Sequence, residues 1–124
     1  MNVQTASAAT TWTVNSLLDG AVGDCTPEAG GCTLREAVTA AADGDTINFT
    51  GLTGVIELTD ERIVIPHTLT IFGPGSNLLA IDGNSLDIIF DMRGDPMDFN
   101  ISGLTITGSS GNGGAIFNDG YETY

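Results

Sequence analysis

The sequence predicts an all-β domain built as a parallel β-helix with a helical cap before its first coil, and three observations lead there. Glycine is abundant, at 17 of 124 residues, while only 15% of residues are charged and 6% aromatic. Such a composition describes many turns and few long helices. After Gly44 the chain breaks into triplets with apolar first and third residues, each followed by Gly, Asn or Asp. These triplets recur in groups of three at a step of 22 to 30 residues, beginning at 47, 69 and 99, at 56, 79 and 104, and at 63, 88 and 115. A period of that size with three short strands in each is the signature of a solenoid of about three coils. An antiparallel sandwich is the rival arrangement.

Taken in order, residues 1–10 form a leader. Ala6-Ser7-Ala8 has the small-x-small form of a signal peptidase site, without the basic and apolar regions that should precede it, or is a flexible Ala/Ser/Thr segment. A single domain spans 11–124, divided into a cap region 11–44, coils 45–118 and a tail 119–124. Cys25 and Cys32 are the only cysteines, with six residues between them. A zinc site would need two further ligands, and the one histidine, His67, lies far along the chain. The pair is therefore read as a disulfide closing a loop, which points to an oxidising compartment.

Thr33-Leu34-Arg35-Glu36 has the form of a capping box, in which Thr33 and Glu36 each satisfy the other's backbone amide. Leu34, Ala37, Val38 and Ala41 then lie on one helical face, and Gly44 reads as the stop. In the coils, Ile47, Leu69 and Phe99 are expected to form one inner column and Ile56, Leu79 and Leu104 another. Asn48, Thr70 and Asn100 line an outer face. On the third face Val64, Ile89 and Ile116 are expected to point outward as an apolar stripe, covered by the N-terminal segment or offered to a partner.

Cys32-Thr33-Leu34-Arg35-Glu36-Ala37 resembles the Cys-Ser-Leu-Arg-Glu-Ala motif of secreted and surface-anchored bacterial right-handed β-helix proteins of the pectin-lyase-like kind. Gly44–Phe49, Leu69–Gly75 and Ile101–Gly108 are similar to the coils that follow that motif, and Gly113-Gly114-Ala115-Ile116 resembles a tetrapeptide repeat of outer-membrane adhesins. The resemblance spans roughly residues 11 to 118. It implies a right-handed β-helix and a secreted or cell-surface location, and little about activity. Members continue for many more coils, so the chain is expected to be a fragment or a short form whose last coil, with Phe99, Leu104 and Phe117, is covered by self-association.

The net charge of -13, from 16 acidic residues against 3 arginines and no lysine, excludes a nucleic-acid binder that works by counterion release. Apolar runs fall far short of the roughly 20 residues that span a bilayer, so no membrane insertion is expected. Asp82, Asp87, Asp91, Asp95 and Asp98 crowd one stretch around Arg93. A pair of carboxylates could serve glycoside cleavage, and the group could hold Ca²⁺ weakly. Their places beside Gly and Asn favour turn chemistry instead. Arg93-Gly94-Asp95 is taken as a chance tripeptide, and His67 has no nucleophile nearby in sequence. The expected role is thus structural, self-assembling or adhesive, without chemistry of its own. A carbohydrate-active enzyme fragment or glycan-binding module is the alternative.

Overall fold

A computed structural model describes residues 9–20, 25, 31–49, 51–86, 88–93, 97–109 and 116–118. Ala6-Ser7-Ala8, Asp87, Asp95 and the 119–124 tail lie outside the described residues, as do the side chains of Phe117 and Asn118. Among the described residues, ten short strands and one helix follow in the order β1 (Thr11–Thr13), α1 (Leu34–Ala40), β2 (Asp45–Asn48), β3 (Gly54–Glu57), β4 (Ile63–Ile65), β5 (Leu69–Phe72), β6 (Leu79–Asp82), β7 (Phe90–Met92), β8 (Phe99–Ser102), β9 (Thr105–Thr107) and β10 (Ile116–Asn118). They form three sheets, β1-β2-β5-β8, β3-β6-β9 and β4-β7-β10, and every pairing is parallel.

This arrangement corrects the expected right-handed parallel β-helix of three strands per coil, about three coils and an N-terminal helical cap. The described residues form three small parallel sheets of four, three and three strands with one short helix. The strand count is uneven because β1, drawn from ahead of the helix, adds a fourth strand to the first sheet. The helix consequently lies between the first two strands in sequence and does not precede the sheets. The alternation Thr11-Trp12-Thr13 suits a strand, with Trp12 in register with Ile47.

Side-chain alternation decides which residues fill the interior. Trp12, Ile47, Ile71 and Ile101 share one register row of the first sheet, and Asp45, Leu69 and Phe99 share another. The expected column of Ile47 with Leu69 and Phe99 is therefore corrected by two residues, which keeps every member on the inner face because the side-chain period is two. In the second sheet the row is Ile56, Ile81 and Ile106, and Leu79 stands beside Gly54. Ile47, Ile56, Ile71 and Ile81 are fully buried. Phe90 meets Phe99 at 5.5 Å between ring centroids and 57° between planes, a tilted contact that aromatic rings favour.

The turns after β5 and β8 lie so close that a Cβ at Gly73 would strike the Gly103 carbonyl and one at Gly103 the Gly73 carbonyl. Gly103 also has φ +70°, so both the space and the backbone require glycine there. Helix α1 begins with the full reciprocal cap of Thr33 and Glu36 and ends at Ala41, whose amide bonds the Ala37 carbonyl. Gly44, expected as the helix stop, instead sits at φ +89° in the turn leading into β2. Leu34, Ala37 and Val38 press the helix onto the core.

Candidate functional site

The three arginines all serve internal ion pairs. Arg35 grips Asp19 with Nε and Nη2 at 2.9 and 3.0 Å, and Asp19 also accepts from the amides of Gly20, Thr59 and Asp60. Burial alone would raise the Asp19 pKa, but the hydrogen bonds from Arg35 and the Thr59 and Gly20 amides, with the charge of Arg35, hold it below the ordinary aspartate range. Arg62 and Arg93 both reach Asp91 Oδ2, at 3.1 and 2.8 Å. Asp91 is fully buried, although it alternates with Phe90 and Met92 on the outer side of β7, because the two guanidiniums lie over it. Burial pushes its pKa up, and the bonds from Arg93 and Arg62 outweigh that and lower it.

Asp45 is a third buried carboxylate, and it faces no arginine. Its Oδ1 accepts from the Thr10 amide at 2.8 Å, and its Oδ2 from Trp12 Nε1 at 3.0 Å and the Ala42 amide at 2.9 Å. Desolvation raises its pKa, and these three donors more than reverse the effect. One side chain thereby ties β1 and the end of the helical region to β2. Its signal in the sequence, an Asp at the first position of an apolar strand, was indistinguishable from a turn residue.

The predicted site residues scatter. Cys25 and Cys32 are joined, with their Cα atoms 4.5 Å apart, a bond compatible with an oxidising, extracellular compartment. Of the acidic group, Asp91 is locked between arginines and Asp98 is exposed, its amide donating to Thr68 Oγ1 at 3.0 Å. Asp82 accepts from the Asn84 amide, a turn contact. Among the described residues, no three His, Cys, Asp or Glu side chains are grouped to hold a metal ion. The apolar stripe is corrected as well. β7 starts at Phe90, two residues later than expected, so Ile89 is buried and Asp91 occupies the place between Val64 and Phe117. Val64 and Ile116 remain exposed, at 44% and 37%, but Ile116 lies in register with the inward Ile63 and Phe90.

Two surfaces were not foreseen in this form. The outer face of the first sheet carries two rows, Thr11, Thr46, Thr70 and Asn100, and Thr13, Asn48, Phe72 and Ser102. Within it Phe72 is 60% exposed and lines a cavity of about 150 Å³ with Asn48, Phe49, Gly73 and Pro74. Asn48 Oδ1 is buried there without a hydrogen-bond partner among the described residues.

The second surface is made of the edges of β8, β9 and β10, each the last strand of its sheet among the described residues. Its described residues, Phe99–Ser109 and Ile116–Asn118, include no Asp, Glu, Arg or Lys, and exposed Asp98 stands just before them. Phe99, Ile101, Leu104 and Ile106 are only partly buried, whereas Leu69, Ile71, Leu79 and Ile81, one strand inward, are buried. Compared with protein-family models, curated proteins and solved structures, the chain matches none.

Proposed function

We propose that this chain is a non-catalytic extracellular β-domain, structural and self-associating, whose working surface is formed by the edges of β8, β9 and β10. The observation that carries the reading is that β8, β9 and β10 are each the last strand of their sheet among the described residues, with Phe99, Ile101, Leu104 and Ile106 only partly buried beside them. Edge strands that must stay single are ordinarily guarded by charge, proline or a covering segment. Here the strands themselves carry Asn, Ser and Thr outward and apolar residues inward, which suits the addition of further strands. The disulfide and the likeness of Cys32–Ala37 to a motif of secreted and surface-anchored bacterial proteins support an extracellular setting. Association raises the mass of the chain in solution as concentration increases, which sedimentation equilibrium measures. A mass that stays at 12.8 kDa up to millimolar concentration contradicts the reading.

The Phe72 cavity favours a second reading, a glycan-binding face. An exposed aromatic ring offers an apolar platform, and Asn48 with the Thr and Ser rows offers hydrogen bonds, a combination suited to one sugar ring of a neutral glycan. The charge of -13 disfavours an acidic one. Calorimetric titration with neutral oligosaccharides tests it: binding that Phe72→Ala abolishes supports this reading, and heats equal to dilution contradict it.

A further inference from the structure

We propose that Asn100 is an acceptor for N-linked glycosylation, with Asp98 and Ser102 as the residues that mark it; this rests on the extracellular setting proposed above. In Asp98-Phe99-Asn100-Ile101-Ser102 an asparagine is followed two positions on by a hydroxyl residue, the tripeptide that oligosaccharide transfer to asparagine requires. An acid stands two positions before it, which is the extended form of that acceptor used in bacteria. The two-residue period of a strand puts these three side chains on one side of the chain. Asp98, Asn100 and Ser102 are each exposed, while Phe99 and Ile101 between them are half-buried. Neither the Asn100 amide nor the Ser102 hydroxyl takes part in a side-chain hydrogen bond among the described residues, so a sugar on Asn100 displaces no internal contact.

The chain holds a second tripeptide of this form, Asn48-Phe49-Thr50, and the structure separates the two. Asn48 lies in β2, between β1 and β5, and its Oδ1 is buried beside Phe72 and Pro74. A sugar on that amide would have to push through its neighbours, and the residue two positions before it is Thr46, not an acid. Asn100 stands instead in the outer row with Thr11, Thr46 and Thr70, and a sugar there projects into solvent. In the transfer, Asn100 Nδ2 forms a bond to C1 of an oligosaccharide carried on a lipid pyrophosphate. The bond from C1 to the pyrophosphate oxygen breaks, the lipid pyrophosphate leaves with the electron pair, and one Nδ2 proton passes to a base of the transferring enzyme. No atom is oxidised or reduced. Because β8 is hydrogen-bonded along β5 once folded, the segment reaches that enzyme as the chain is exported, before the two strands pair.

Expression of the full 124-residue chain behind a secretion leader, in a bacterial host carrying an oligosaccharyltransferase and its lipid-linked glycan, tests the assignment. The intact mass of the exported chain should rise by one glycan, and peptide mapping should place that glycan on Asn100. Asn100→Gln, Ser102→Ala and Asp98→Ala should each remove the modified species, with far-UV circular dichroism matching that of the parent. Asn48→Gln should leave the modified fraction unchanged. Exported chain that carries no glycan although Cys25 and Cys32 are joined overturns the assignment and leaves the extracellular setting in place, as does a glycan mapped to Asn48 with Asn100 bare. Exported chain whose two cysteines stay reduced and whose Asn100 is bare overturns both.

Discussion

Asp45 shows how much of this structure depends on single buried carboxylates. It satisfies two backbone amides and the indole of the only tryptophan, and none of these donors has an arginine's freedom to turn to water. Asp45→Asn keeps the shape but sets an NH₂ group against donors, and it should lower stability by about 1–3 kcal/mol. Trp12 fluorescence, which reports release of β1, should then shift at a lower denaturant concentration than in the parent. Asp19, Asp45 and Asp91 also fix the response to acid. All three have folded pKa values below 3.8, so their contribution is fully present above the unfolded value and is lost as pH falls through the folded ones. Stability should hold from neutral pH to about 4 and fall below it. Thermal melts across that window test this, and in a chain with all three replaced by Asn the slope should be shallower.

At the scale of the elements, what could be read from sequence was what local chemistry determines. The reciprocal cap of Thr33 and Glu36 is present as spacing implied, and the Thr33 hydroxyl also donates to the Gly20 carbonyl at 2.8 Å. Thr33→Ala should therefore cost about 1–2 kcal/mol in a chemical melt. The apolar triplets mark strands because β-branched residues bounded by Gly and Asn are strand chemistry whatever the topology. Register was not legible. Ile88-Ile89-Phe90 and Phe90-Asp91-Met92 both have apolar first and third residues, so the triplet rule fitted either, and the predicted stripe through Ile89, which is buried ahead of β7, gave way to the Arg62–Asp91–Arg93 cluster. The uniform coil likewise failed on β1, whose three residues lie too far from the repeats to share their period. Two of the three ion pairs among the described residues span 16 and 29 residues, and no local signal links Asp19 to Arg35 or Asp91 to Arg62; only Arg93 and Asp91 are close in sequence.

For the whole molecule, charge and edge exposure act together. With Arg35, Arg62 and Arg93 all engaged by buried carboxylates, exposed acids such as Asp43, Glu57, Asp60, Glu61 and Asp98 set the sign of the surface. Repulsion between copies is screened by salt, so association should tighten as ionic strength rises from 0.01 to 0.15 M, where the screening length falls from about 30 to about 8 Å. Sedimentation at the two salt concentrations checks this. The central claim, that β8, β9 and β10 form the accepting surface, is tested most directly by amide hydrogen exchange at low and high protein concentration. The account predicts that exchange at Phe99–Ser102, Thr105–Thr107 and Ile116–Asn118 slows as concentration rises, while Thr11–Thr13 is unaffected. Exchange at those three strands that does not change with concentration, or protection that grows at β1 instead, would contradict it.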